Sequence, residues 1–223
     1  MIPGLLLGMY AQFKLRGAYG RYSQVRIGSG LTGAQVAREI LDSAGLTAMP
    51  IEVTPGHLSD HYDPTRKALV LSEENYNSNS IAAAGVAAHE AGHALQHKAA
   101  YFPMHFRTTL VPAVNFASAG AFWAAGIGFM LQSPKLVLFG IIGFGVMSLF
   151  HLVTLPVEFD ASSRAKKQLQ ALGLVRDPEE ARGVSKVLNA AAMTYVAALV
   201  TSLLTLLYYV MRFSNMRSSE RES

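Results

Sequence analysis

The residues best suited to chemistry in this chain form the sequence HEAGH at positions 89–93. His89 and His93 are four residues apart, which places their side chains on one face of a helix, about 6 Å apart. Two imidazoles in that arrangement can bind one zinc ion. Glu90 then lies beside the metal, where its carboxylate can accept a proton from a zinc-activated water. The motif therefore predicts zinc-dependent hydrolysis.

A catalytic zinc site usually has a third protein ligand besides the water. The metzincin pattern requires a histidine ten residues after the first one, and that position here is Ala99. His97 lies eight residues after His89, which on a helix means a rotation of about 80° and an axial displacement of about 12 Å. His97 can therefore touch the cleft as a supporting residue, but it is badly placed to share the zinc.

Glu158, in the sequence LPVEFDASSRAKK, is the predicted third ligand. It follows a long uncharged stretch, where a carboxylate is costly unless it is paired or bound to a metal. Pro156 suits the first turn of a helix beginning there. Asp160 is a competing carboxylate that would point to the other face of that helix, where it could support the ligands. The alternative for Glu158 is an interfacial ion pair with Arg164 or Lys166.

The composition limits both the class of protein and the kind of metal site. Of the 223 residues, 51% are hydrophobic and only 15% are charged, with a formal net charge of +4. Ordinary soluble domains have about 25% charged residues, so a freely soluble enzyme is not expected. Disorder is excluded, because it requires low hydrophobicity. Since the chain has no cysteine, any metal must be held by His, Asp or Glu.

Three uncharged stretches, at 108–134, 136–157 and 187–211, predict transmembrane helices. Each is long enough to cross a hydrocarbon core of about 30 Å. Residues 1–13 are also uncharged but reach only about 20 Å as a helix, so they form a short apolar segment and a candidate fourth span. The remaining predicted segments are an extramembrane peptidase part (14–107), a membrane hairpin (108–157), a loop or helix carrying the third ligand (158–186), a transmembrane helix (187–212) and a polar tail (213–223).

The basic residues predict the orientation in the membrane. Nine of the 19 Lys and Arg residues lie in 14–107 and six in 158–186. A two-span hairpin puts both segments on one side, and the positive-inside rule makes that side cytoplasmic. The expected location is therefore the cell (inner) membrane, multi-pass, with the active site on the cytoplasmic face. No dense Lys/Arg run is present, so no nucleic-acid partner is expected.

The extramembrane part predicts a small α+β domain. Thr32 and Gln35 form a capping box that opens a helix ended by Gly45. Residues 51–56 and 67–74 predict a short strand hairpin. The Asn/Ser cluster at 77–80 offers an N-cap for a helix beginning near position 81, which carries HEAGH. The predicted fold is thus a mainly α integral membrane protein, with three to four transmembrane helices plus this domain.

Long motifs across the chain resemble the bacterial membrane neutral zinc metallopeptidases. They are AQFKLRGAYGRYSQV, GLTGAQVAREILDSAGL, DHYDPTRKALVLSEENY, LVTLPVEFDASSRA and VLNAAAMTYVAA. A more distant resemblance is to the gluzincins that include the CAAX prenyl protease and the heat-shock membrane protease. The resemblance implies a zinc endopeptidase with one Zn²⁺ per chain, bound by His89, His93 and Glu158, and with Glu90 as general base.

The gluzincin resemblance also implies features around the site. In the distant relatives an aspartate four residues after the ligand glutamate supports a histidine ligand, and that position here is Ser162. Either Asp160 takes this supporting role or the surroundings of the ligands differ. By the same analogy, the strand at 67–74 would form the cleft edge and pair with an extended substrate. The oxyanion stabiliser stays open among His57, His61, Tyr62, Tyr76 and His97.

The predicted function is a membrane-embedded zinc endopeptidase that acts on membrane or membrane-associated proteins. Its expected partners are a peptide or protein substrate and the lipid bilayer, with a membrane-protein partner or a homo-oligomer left open. One alternative is a non-enzymatic membrane adaptor with a structural or vestigial zinc site. Another is an intramembrane-cleaving protease. Against the latter, only eight residues precede His89 after the polar cluster, and the three uncharged stretches contain no aspartate.

Overall fold

The computed structural model describes residues 2–222, with side chains described as far as residue 216. Helices predominate, and a three-stranded sheet lies between the second and third of them. In chain order the elements are α1 (Ile2–Tyr22), α2 (Gly33–Ser43), β1 (Ile51–Thr54), β2 (His61–Asp63), β3 (Ala68–Ser72), α3 (Glu73–Asn77), α4 (Ile81–Lys98), α5 (Phe102–Met130), α6 (Pro134–Ala171) and α7 (Pro178–Glu222).

Helices α5, α6 and the described part of α7 are long and apolar enough to cross a membrane, as the sequence predicted. Their most apolar segments are only 17%, 17% and 22% buried, respectively, so most of their side chains face outward. Phe116 and Trp123, for example, are 73% and 65% exposed. Such a surface is stable against hydrocarbon and not against water.

Helix α1 extends well beyond the uncharged segment 1–13. It continues through Lys14, Arg16 and Arg21 to Tyr22 and packs along α7. Among the described helices, the three apolar enough to span do not include α1. The candidate fourth span is therefore the first part of a longer helix whose second part carries the charges.

Helix α6 corrects the prediction that a new helix begins near Pro156. Pro156 lies inside one continuous helix of 38 residues. A proline there removes one backbone donor, and membrane helices tolerate this where neighbouring helices support the chain. Residues 158–171 consequently complete α6, and α7 already begins at Pro178. The helix of α7 also continues beyond residue 212, into the predicted polar tail.

The sheet corrects the predicted pairing of 51–56 with 67–74 as a hairpin. Its order is β1-β3-β2, with β1 parallel and β2 antiparallel to β3. The true hairpin joins β2 to β3, and Asp63 closes its turn by accepting hydrogen bonds from the backbone N–H groups of Thr65 and Arg66. Since β3 is the central strand, it is buried throughout and cannot be a cleft edge.

The local helix signals predicted within residues 14–107 are confirmed. Thr32 and Gln35 form the capping box of α2, and Gly45 follows its end with a φ of 70°. Ser80 caps α4 by accepting from the N–H of Ala83 at 3.1 Å. Helix α4 packs against α2, α6 and α7, and most of its residues are buried. The HEAGH motif therefore lies on the central helix of the core.

Candidate zinc site

The candidate site lies beside the point where α4 crosses α6, at Gly92. A Cβ atom at this position would lie 2.5 Å from the carbonyl oxygen of Ala161. Real Cβ atoms do not approach that closely, so only glycine allows the two backbones to pack in this way. The close crossing brings Glu158, three residues before Ala161, opposite the two histidines of α4.

His89, His93 and Glu158 direct one atom each to a common point. The Oε2 atom of Glu158 lies 3.1 Å from Nε2 of His89 and 3.6 Å from Nε2 of His93. Tetrahedral zinc with bonds of about 2.0–2.2 Å separates its ligand atoms by roughly 3.3–3.6 Å. The spacing and the chemistry of this donor set therefore fit zinc. The side chains are only 14%, 8% and 3% exposed, which favours strong coordination.

The other ring nitrogen of His93 is fixed by Gln96. His93 Nδ1 lies 2.9 Å from Gln96 Oε1, while Gln96 Nε2 donates to the carbonyl of Val157 at 2.7 Å and to Asp160 at 2.9 Å. Because the amide hydrogens are directed at those acceptors, the amide oxygen faces the imidazole, which must donate from Nδ1. Nε2 of His93 is then free to bind a metal.

His89 is held in a similar way by Ser162. Its Nδ1 lies 3.1 Å from the Ser162 hydroxyl oxygen. Ser162, at the position where the gluzincin resemblance led us to expect an aspartate, therefore contacts a histidine directly. Asp160 contacts Gln96 instead and also accepts from Arg164 at 2.6 Å. Its carboxylate reaches His93 only through the glutamine.

Glu90 lines the same cavity as the three candidate ligands, a space of about 490 Å³ between the sheet, α4, α5 and α7. It is only 8% exposed. Burial raises the pKa of Glu90 above its usual value, because a buried carboxylate loses hydration. A buried glutamate with a raised pKa beside three candidate metal ligands is chemically suited to take up and release a proton.

Sequence reasoning missed two further groups in this cavity, Arg107 of α5 and Tyr195 of α7. Arg107 Nη1 lies 3.3 Å from Oε1 of Glu158, the oxygen that does not face the histidines. Arg107 is the last charged residue before an uncharged stretch, and Tyr195 is a polar residue within one. These positions in the sequence are the signal by which both residues could have been found. Glu158 thus pairs with Arg107, and not with Arg164 or Lys166.

Of the five residues that the sequence left open as oxyanion stabilisers, two line the cavity, His61 and Tyr62. His97 lies outside the three-ligand cluster, with its Nδ1 2.8 Å from the Tyr62 hydroxyl and its ring centroid 5.5 Å from that of His105. His57 pairs with Glu74 at the surface. Burial raises the pKa of Tyr62 to about 12, so this hydroxyl stays protonated and can donate a hydrogen bond.

The described chain thus combines a His-His-Glu set that could hold a metal ion with three helices long and apolar enough to cross a membrane. The chain belongs to the family described as "Putative neutral zinc metallopeptidase", whose sequence model matches residues 1–214. It is also 50% identical over 216 residues to the "Putative membrane protease YugP" of Bacillus subtilis (strain 168), covering 97% of this chain and 96% of the relative. No solved structure matches the chain.

Proposed function

We propose that this protein is a membrane-embedded zinc endopeptidase of the gluzincin type, with one zinc ion per chain held by His89, His93 and Glu158. The observation that carries the proposal is the approach of both Nε2 atoms to one carboxylate oxygen, at 3.1 and 3.6 Å. The family membership and the membrane protease relative support the same function. A purely structural zinc site would usually have four protein ligands.

Each group of the cavity has a chemical role in peptide hydrolysis. Bound zinc would lower the pKa of a coordinated water to about 7 and polarise the scissile carbonyl. Glu90 accepts the proton from the attacking water and delivers it to the leaving amine. Arg107 and the Tyr195 hydroxyl are the proposed donors to the developing oxyanion, because both line the cavity beside Glu158.

The proposed substrate is an extended segment of a membrane or membrane-associated protein, bound between β2 and α5. β2 has β3 as its only sheet neighbour among the described residues, so its other edge can pair with a peptide backbone. Met104, Thr108 and Val111 of α5 line the same cavity as His61 and Tyr62 of β2. This geometry favours β2 as the cleft edge instead of the strand expected from the sequence.

The proposed location is the cell (inner) membrane, with the cavity at its cytoplasmic surface. Arg107 immediately precedes the uncharged stretch 108–134, and Glu158 immediately follows 136–157. Their contact supports a position for the metal ligands at the boundary between hydrocarbon and water. The distribution of basic residues supports the cytoplasmic side.

The test is zinc stoichiometry together with proteolysis on detergent-purified protein. We expect one zinc per chain in the wild type and its loss in Glu158→Ala and His93→Ala, with His97→Ala as the matched histidine control that keeps it. Casein or a quenched peptide library supplies the activity readout. Zinc retained without Glu158 would contradict the ligand set. A zinc-loaded wild type that cleaves nothing would favour the adaptor function.

A further inference from the structure

A second cavity, of about 660 Å³, lies between α1, α6 and α7. It is separate from the candidate zinc site, and the two sets of lining residues share no member. Lys14 of α1 and Lys186 and Asn189 of α7 supply its polar groups. Phe159 of α6 and Met193 of α7 supply much of its apolar surface. Phe159 is 49% exposed although it follows the buried Glu158 directly.

This cavity lies where all three of its helices change from uncharged to charged sequence. Lys14 is the first charged residue after 1–13, and Lys186 is the last one before 187–211. Phe159 follows Glu158, the first charged residue after 136–157. If the apolar segments lie in hydrocarbon, the cavity is at the level of the lipid headgroups.

The two lysines lack a carboxylate partner among the described residues. Neither forms an ion pair there, and the Lys14 ammonium group lies 5.3 Å from the ring centroid of Tyr10. Both lysines are exposed. Two cations beside an apolar wall that includes Val196 match a molecule with an anionic head and hydrocarbon chains.

We propose that this cavity binds an anionic glycerophospholipid, with its phosphate on Lys14 and Lys186 and an acyl chain against Phe159 and Met193. The proposal rests on the membrane placement of the apolar helices and not on proteolysis. A lipid held there bridges α1 to α6 and α7. Its acyl chain would also contact Phe159, which directly follows the candidate ligand Glu158 on α6, so it stabilises the helix that carries both residues.

The experiment measures lipid binding to the full chain in neutral detergent. Phosphatidylglycerol, phosphatidylcholine with the same acyl chains, and inorganic phosphate are titrated separately, with native mass spectrometry and thermal unfolding as readouts. The test variant is Lys14→Gln/Lys186→Gln. The matched control is Lys166→Gln/Lys167→Gln, which removes the same charge from lysines that do not line this cavity.

We expect phosphatidylglycerol to bind and raise the Tm of the wild type and of the control, with little effect of phosphatidylcholine or phosphate. The test variant should bind phosphatidylglycerol about 25-fold more weakly, from about fivefold per lysine. Equal binding by the test variant would overturn the proposal, and so would equal losses in both variants. If phosphatidylcholine raises the Tm as much as phosphatidylglycerol does, the cavity is an apolar groove with no preference for an anionic head, and the proposal is wrong. If phosphate alone raises it as much, the cavity is a free-anion site, and the proposal is wrong as well.

Discussion

The guanidinium of Arg107 lies 3.3 Å from one oxygen of Glu158, while the other oxygen of the same carboxylate faces the two histidines. Arg107 belongs to α5 and Glu158 to α6, the two helices of the predicted membrane hairpin. The carboxylate is only 3% exposed, so its charge needs compensation whether or not a metal is bound. Arg107 provides that compensation and fixes the position of this candidate metal ligand.

Replacing Arg107 should therefore destabilise the metal-free protein more than the zinc-bound one. In Arg107→Gln we expect a loss of about 2–4 kcal/mol without metal, because a buried carboxylate loses its cation. Zinc should restore most of it, because the bound cation supplies the positive charge that the Glu158 carboxylate lacks in this variant. The measurement is thermal unfolding with EDTA and with zinc. Arg66→Gln, which breaks an exposed ion pair with Glu52, is the control and should leave stability nearly unchanged. An Arg107 variant with the same loss in both conditions would argue against this role.

Glu90→Gln should keep the metal and lose turnover. The amide has nearly the same size but cannot accept the proton, so we expect activity to fall by about 10²–10⁴-fold. Zinc content by mass spectrometry and cleavage of the substrate found for the wild type measure the two effects on one sample. Full activity with normal zinc would exclude Glu90 as the general base.

Gln96→Leu should weaken zinc binding without removing a ligand. The substitution leaves Nδ1 of His93 and the carboxylate of Asp160 without their amide partner, so we expect zinc affinity to fall by about 10–100-fold. Competition with a chromophoric chelator gives the affinity. Gln24→Leu, at an exposed position, should leave it unchanged. An unchanged affinity in Gln96→Leu would mean that the orientation of His93 does not depend on Gln96.

Gly92→Ala should separate α4 from α6 and damage the site. The added Cβ would meet the Ala161 carbonyl at 2.5 Å, and we expect a loss of about 1–3 kcal/mol in stability together with weaker zinc binding. Gly85→Ala on the same helix is the matched control, because its Cβ would meet only Val184, at 3.6 Å or more. That control should be neutral, or more stable by up to about 1 kcal/mol through helix propensity. Unfolding in detergent and zinc content report both effects. Two equally stable variants would show that the crossing can relax.

Local sequence was sufficient for much of the architecture. The caps at Thr32 and Ser80, the pair His89 and His93 on one helical face and the three apolar helices all depend on residues within a few turns of one another. Periodicity, capping and hydropathy act over that range, so the sequence alone determined these elements. Glu158 could also be named as a candidate, because a carboxylate at the end of an apolar stretch is costly without a partner.

The tertiary structure decided which groups meet. The parallel pairing of β1 with β3 depends on how the intervening loop folds, and strand preference does not specify a partner. Pro156 lies inside α6 because packing against neighbouring helices outweighs its local preference. Arg107, Gln96 and Tyr195 reach the site from three different helices. Contacts between distant parts of the chain depend on the packing of the whole, which residue spacing along one helix does not encode.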